Sequence, residues 1–308
     1  MKKWLRSRFR SGRSDLFGVL LSLPAIVWLA IFFVVPGYVL LAIAFGTVDP
    51  IFRAPLPAWS PLDWTFGSFS FVFTHLWGGT DAFFGPAVLR TVGFVAAAMV
   101  LCLLIAFPVA YFVARHAGRW RGLVLALLVA PFWISYMMRM LAWVNLLQTD
   151  GLANRALSLG GLLPVQVDWL AGRSSTVILG LVYGYVPYMV LPLYAALDRI
   201  SPSMIEAARD LGAGRTEVFR RVILPMSLPG VAAGLILVTL PMTGDYFTND
   251  LLSGSPRTSM VGNLINEAIS TPGQAGQAGA LVSLLILGLL VPMLLYVRST
   301  LRGQDVRS

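Results

Sequence analysis

Charge is what this 308-residue chain has least of: Asp, Glu, Lys and Arg make up 12% of it, against 57% hydrophobic residues. A soluble domain carries about 25% charged residues, so the composition excludes one and specifies an integral membrane protein. The single cysteine, Cys102, lies inside an apolar run. It rules out an intrachain disulfide and offers no basis for a catalytic thiol. His75 and His116 stand apart from each other and from any carboxylate cluster, and no metal-ligand spacing occurs. Paired catalytic groups at helix spacing are missing, so an intramembrane enzyme is not indicated. There is no GxxxxGK[ST] phosphate loop either, and any ATP that drives this protein must be bound by another chain.

Hydrocarbon is what the sequence has in quantity. A bilayer core needs about 20 apolar residues per helix, and six runs qualify: 17–46, 88–114, 122–147, 175–197, 229–252 and 278–298. The first has basic residues before it and a small-residue AIA near its end, as a signal peptide has. It is too long for a signal core of about 7–15 residues, so a retained helix is expected.

Arginine and lysine set the orientation. The N-terminal flank holds Lys2, Lys3, Arg6, Arg8, Arg10 and Arg13. Arg115, Arg119 and Arg121 follow the second run; Arg199, Arg209, Arg215, Arg220 and Arg221 follow the fourth; Arg298, Arg302 and Arg307 close the chain. These alternate connections hold most of the 23 basic residues, which places both termini in the cytoplasm. The net charge of +9 is therefore topological, and no nucleic-acid partner is expected.

On the opposite side, residues 47–87 combine several prolines with the aromatic stretch Trp64 to Gly79, suited to the lipid–water interface. Residues 259–270 read as a short amphipathic helix, and PGQAGQAGA after it as a flexible connection. Proline falls in nearly every run (Pro24, Pro36, Pro108, Pro131, Pro187, Pro192, Pro241 and Pro292). Each removes a backbone hydrogen bond that lipid cannot replace, a pattern that favours a transport pathway over a passive anchor.

One charged segment, EAARDLGAGRTEVFRRVILP (Glu206 to Pro225), lies on the predicted cytoplasmic side. Ser201-Pro202 suits a helix start, and Met204, Ala207, Ala208 and Leu211 share a face. Gly212 stands where a left-handed C-terminal residue is expected. A second short helix, about 216–223, directs Val218, Phe219 and Val222 toward the membrane, and Pro225 ends it. Physics alone leaves two readings open, a solvated loop with two amphipathic turns and a docking elbow.

Glu206-Ala207-Ala208, Gly212, Val222 and Leu224-Pro225, at these spacings, resemble the EAA motif of permease subunits of ABC importers; Val222 stands where the usual pattern has Ile. Leu89 to Arg115, Leu128 to Asn154, Gly184 to Leu197 and Leu240 to Gly254 are similar to spermidine/putrescine-type permeases. The resemblance implies an all-α membrane protein with six transmembrane helices, the type I ABC importer permease fold and cytoplasmic coupling helices. Its permease domain is expected over 17–308, with its core at 88–298, a coupling loop at 198–228 and a cytoplasmic flank at 1–16. It implies a non-catalytic subunit in the bacterial inner membrane, surrounded by lipid and paired with a second homologous permease. An extracytoplasmic binding protein and a cytoplasmic ATPase dimer complete the importer. This chain is expected to hold no cofactor, ATP-Mg being used by the ATPase.

The pathway candidates are polar and aromatic residues inside or at the ends of the runs: Asp245, Tyr246, Trp133, Phe132, Tyr183, Tyr185, Tyr188 and Arg139. An intramembrane carboxylate is expensive and usually functional, and rings offer cation–π surfaces, so Asp245 with aromatics suits a polyammonium cargo. For Asp245 an alternative is an interfacial helix end paired with Arg139 or Arg90, and for the rings core packing or a lipid belt. Importers of iron, aminophosphonate, opine or amino-acid-like solutes share the motif. A stand-alone secondary transporter would need a coupling-ion site and internal repeats, neither of which is evident.

Overall fold

The apolar runs fold as helices because a chain in hydrocarbon must satisfy its backbone polar groups internally. The computed structural model describes residues 21–77, 82–159 and 167–305. The expected flank 1–16, the start of the first run and the end of the aromatic stretch lie outside the described residues. The helices are α1 (Leu21–Ala44), α2 (Gly67–Trp77), α3 (Phe84–Arg115), α4 (Gly118–Trp133), α5 (Tyr136–Leu147) and α6 (Leu152–Leu159). They continue with α7 (Ser174–Asp198), α8 (Pro202–Asp210), α9 (Arg215–Thr243), α10 (Phe247–Leu252), α11 (Val261–Ser270) and α12 (Ala275–Asp305). Of the described helices, α1, α3, α7 and α9 are each long and apolar enough to cross a bilayer, and the pair α4–α5 passes that test together. In α12 the apolar part runs Ala275–Val291.

Of the described residues, 21–72 and 268–283 form one compact unit. In it a two-residue antiparallel hairpin, β1 (Thr47–Val48) on β2 (Pro55–Leu56), is the one departure from an all-helical chain among the described residues. Asp49 accepts the amides of Ile51 and Phe52 at 2.8 Å each, and Arg53 turns the hairpin with φ 52°. Phe45 stacks on Trp64 at 4.3 Å and on Phe69 at 4.6 Å, so part of the aromatic stretch packs on itself. The expected flexible PGQAGQAGA is helical from Ala275 onward. Its glycines are packing positions: a Cβ on Gly279 would lie 3.0 Å from the Cβ of Ala44.

The other unit, the described residues within 73–267 and 284–305, is built on α7. One face of α3 is a column of small side chains, Val95, Ala98, Cys102, Ala106 and Ala110, and all are buried. It meets Val177, Leu181, Tyr185, Met189, Leu193 and Leu197, spaced every four residues on α7. Small residues let helix backbones approach, which is how helices associate where lipid removes the hydrophobic driving force. Gly230 and Gly234 do the same for α9 against α7. A Cβ at Gly230 would strike the Ala196 methyl, and one at Gly234 would lie 2.7 Å from Met189 Sδ.

Three expectations about element boundaries are corrected here. The run 122–147 is not one helix: extended backbone at Ile134 and Ser135 breaks it, and α4 and α5 meet at 89°. Pro131, in the last turn of α4, is followed by that break, whereas Pro108, Pro187, Pro192, Pro229 and Pro241 sit inside continuous helices. The run 229–252 is also displaced, because α9 begins at Arg215, ends at Thr243, and is followed by the separate α10. Lastly, Pro225 does not end a short helix. A π-helical turn at Phe219–Ile223 precedes it, with Leu224 N bonding Phe219 O, and the helix runs on through the proline. The same device precedes Pro36, where Ala30–Val34 is π-helical and Val35 N bonds Ala30 O. A wider turn redistributes the carbonyls that a proline ring would otherwise strike.

Candidate functional site

The charged segment folds into a helix–glycine–helix elbow. Ser201 occupies the N-cap position in extended conformation, but its hydroxyl makes no capping bond and pairs with Ser203 Oγ at 3.1 Å. At the other end of α8, Gly212 has φ +85°. Its amide bonds Arg209 O at 2.8 Å while Ala213 N bonds Ala208 O at 3.1 Å. This pair of reversed bonds is a Schellman motif, which satisfies carbonyls that a helix end leaves free. The expected single apolar face is divided. Ile205, Ala208 and Ala213 pack on the core, whereas Met204, Ala207 and Leu211 face outward beside exposed Glu206. Leu211 is 89% exposed at the corner of the elbow. Beyond it Val218 and Ile223 are buried, Val222 is half-buried, and Leu224 and Pro225 are exposed. Phe219 meets Phe107 of α3 edge-on at 5.7 Å.

Arg115, read from sequence as a topological charge, and Arg90, offered there as a partner for Asp245, both make specific bonds to other groups. Arg115 Nη2 donates to Leu197 O at 2.9 Å and Ile200 O at 2.8 Å, so a cation closes the C-terminal end of α7. Arg90 Nε donates to Ser259 O at 3.0 Å, and Thr91 Oγ1 accepts Val261 N at 2.9 Å, which together fix the start of α11 against α3.

The second site surrounds Asp245, which is buried. Its Oδ1 accepts the Thr248 amide at 3.0 Å, a capping bond at the start of α10. Its Oδ2 accepts three hydroxyls: Thr248 at 2.6 Å, Tyr136 at 2.7 Å and Tyr185 at 3.2 Å. Neither Arg139 nor Arg90 is a partner, so the expected ion-paired helix end is not what forms. Four donors instead join α5, α7 and α10 at one carboxylate. Tyr136 and Thr248 were not singled out from sequence. Thr248 carried a local signal, an Asp three residues ahead of it at a helix start. Tyr136 carried none, being 109 residues from Asp245.

The rings form a connected row. Phe132 packs edge-on against Tyr188 at 4.5 Å, Tyr188 lies 6.2 Å from Tyr185, and Tyr185 lies 6.0 Å from Tyr136. Trp143 and Tyr183 form a separate pair at 5.2 Å. Two candidates stand outside this assembly. Trp133 is 89% exposed at the α4–α5 break, and Tyr246 stacks on Phe247 at 4.1 Å. Tyr136 is reached from two sides, since its hydroxyl holds Asp245 while the Arg139 guanidinium carbon lies 5.3 Å from its ring and 4.8 Å from that of Phe132.

Beside this row α3, α4, α5 and α7 line an open cavity of about 700 Å³. Its lining is apolar except for Arg139 and Ser175, and Trp143, Tyr183 and Pro187 form part of its wall.

Comparison with known proteins adds a lineage to this geometry. Residues 7–300 match the family described as binding-protein-dependent transport system inner membrane component. The spermidine/putrescine transport system permease protein PotB of Haemophilus influenzae is 34% identical over 238 residues, 77% of this chain and 78% of the relative. PotB of Escherichia coli K12 is 31% identical over 240 residues, 77% of this chain and 81% of the relative. Among solved structures, a chain of a bacterial alginate ABC transporter in complex with an alginate pentasaccharide-bound periplasmic protein superposes with a TM-score of 0.71. It covers 93% of this chain and 94% of that one at 20% identity, a likeness of fold.

Proposed function

The chain belongs to the binding-protein-dependent transport inner membrane components, and from that premise we propose that it imports polyamines of the spermidine/putrescine class. It is a multi-pass protein of the bacterial inner membrane and the non-catalytic permease of an ABC importer. The polyamine cargo rests on one observation, identity above 30% to spermidine/putrescine permeases across 77% of the chain. On this reading six spans cross the membrane, α1, α3, the bent pair α4–α5, α7, α9 and α12, with both termini cytoplasmic. The distribution of Arg and Lys supports that orientation.

The elbow is the surface that a cytoplasmic ATPase grips. Met204, Ala207 and Leu211 present an apolar face that a water-exposed helix would not otherwise keep, and Glu206 adds a charge to it. Gly212 sets the corner angle, and Val222, Leu224 and Pro225 carry the elbow into α9. The ATPase dimer binds ATP-Mg, and this chain holds no cofactor of its own. A second homologous permease completes the pore, and an extracytoplasmic binding protein delivers the cargo. Rings of the connected row, Phe132 and Tyr188, offer cation–π contacts to a passing ammonium group. Asp245 acts from behind them, its carboxylate already engaged by four donors.

Uptake by proteoliposomes holding the assembled transporter tests the cargo. ATP-dependent accumulation of labelled spermidine or putrescine, delivered by the cognate binding protein, is the expected result. Tight binding of another solute by that protein, with no polyamine uptake, removes the cargo and leaves the importer class standing.

A further inference from the structure

Arg139 is a buried cation without an anion. It is 7% exposed, and its Nε is fully enclosed with no hydrogen-bond partner. Among the described residues it makes no ion pair, and the groups that meet its guanidinium are the rings of Phe132 and Tyr136. A guanidinium stays charged in a protein, and an unpaired charge in an apolar medium is strongly unfavourable. Two rings offset part of that cost, while Nε stays unsatisfied.

The space beside Arg139 has the complementary character. The cavity of about 700 Å³ is walled by Leu101, Ile105, Leu127, Ile178, Leu179 and other apolar side chains. Leu101, Ile105, Leu127 and Leu179 are each more than 40% exposed, so hydrocarbon has access to it. Its depth matches as well. From Gly118 to Trp133, α4 rises about 23 Å at 1.5 Å per residue, within a hydrocarbon core about 30 Å thick. The 89° bend then turns α5 at that level. On the orientation proposed above, Arg139 lies just beneath the outer boundary, where hydrocarbon gives way to glycerol and phosphate.

We propose that this cavity holds an anionic phospholipid of the outer leaflet, with an acyl chain along the apolar wall and its phosphate on the Arg139 guanidinium. A free anion would satisfy the charge but leave the apolar wall uncovered. A hydrocarbon chain alone would do the reverse. A phospholipid meets both demands in one molecule.

The test is native mass spectrometry of the assembled, detergent-purified transporter titrated with three probes: phosphatidylglycerol, diacylglycerol with the same chains, and inorganic phosphate. Phosphatidylglycerol is expected to bind about tenfold or more tighter than diacylglycerol, the scale of charge-assisted hydrogen bonds, and inorganic phosphate not to bind. Arg139→Gln should erase that preference and Arg139→Lys keep much of it. Leu179→Trp fills the cavity while leaving the guanidinium, and it should expel the lipid, so the proposal stays testable if Arg139→Gln does not fold. Equal affinity for phosphatidylglycerol in wild type and Arg139→Gln overturns the proposal. So does inorganic phosphate binding as tightly as the lipid, which marks a free-anion site. An assembled transporter that retains no phospholipid here overturns it too, and assigns the cavity to the second permease.

Discussion

Replacing Asp245 by Asn separates a carboxylate that binds cargo from one that holds helices together. The substitution keeps size and shape, and Asn Oδ1 can still accept the Thr248 amide. It replaces Oδ2, which accepts three hydroxyls at 2.6, 2.7 and 3.2 Å, by an NH2 group that only donates, so at most two hydroxyls can reverse to accept from it in neutral bonds while the third loses its partner. Hydrogen bonds to charged groups contribute about 1.5–3 kcal/mol and neutral ones about 0.5–1.5, so each exchange loses about 1 kcal/mol. Two such exchanges and one lost bond, less the relief of no longer burying a charge, leave a destabilisation of about 1–3 kcal/mol. Tyr136 is partly insured, because its hydroxyl also lies 2.6 Å from Thr248 Oγ1; Tyr185 is not. Combining Asp245→Asn with Tyr185→Phe should therefore give a loss smaller than the sum of the single losses, with a coupling of about 1 kcal/mol. Denaturant unfolding of the purified transporter measures the stability, and concentration-dependent uptake in proteoliposomes measures the KM. The expected outcome is lower stability with KM unchanged within about twofold. Unchanged stability with KM raised about tenfold would refute the clamp and return Asp245 to direct contact with the cargo.

Gly184→Val should act on the same clamp from outside, since even a Cβ there would lie 2.8 Å from Tyr136 Cε2; thermal unfolding should fall below wild type, with Gly184→Ala intermediate. At the elbow, Gly212→Pro removes the amide bonded to Arg209 O and forbids φ +85°, so ATPase activity should persist while uptake falls at least tenfold. Glu206→Lys should likewise separate hydrolysis from uptake, and normal uptake by both variants removes the elbow from the coupling role. Leu211→Glu, at an 89% exposed position, should leave permease stability within about 0.5 kcal/mol. It should sharply reduce the ATPase that copurifies with the permease.

Much of the architecture was legible because membrane helices announce themselves by composition. The left-handed Gly212 and the amphipathic α11 could both be read from spacing, whereas the small column from Val95 to Ala110 emerged only with its partner α7. The break after Trp133 could not, because Ile134 and Ser135 interrupt the backbone and not the hydropathy, and α4 and α5 are apolar on both sides of it. Pro225 misled for a related reason: its local rule holds for an α-helix, and the chain avoided the conflict with a π-turn. The partners of Asp245 were hidden by distance along the chain. A lone carboxylate in an apolar run signals a counter-group without saying which, and the arginines were the nearest guess. Tyrosine hydroxyls do the task without a second charge to desolvate.

The π-turn before Pro225 also has a mechanical meaning. By letting the helix run on through the proline, it makes Arg215–Thr243, 29 residues, one uninterrupted rod about 43 Å long. Had the proline broken the chain there, a displacement of the elbow would have been absorbed in a joint. Pivoted near the elbow, a rod of that length converts a tilt of about 5° into a swing of about 4 Å at its far end. That far end is Thr243, two residues before the carboxylate on which α5, α7 and α10 converge.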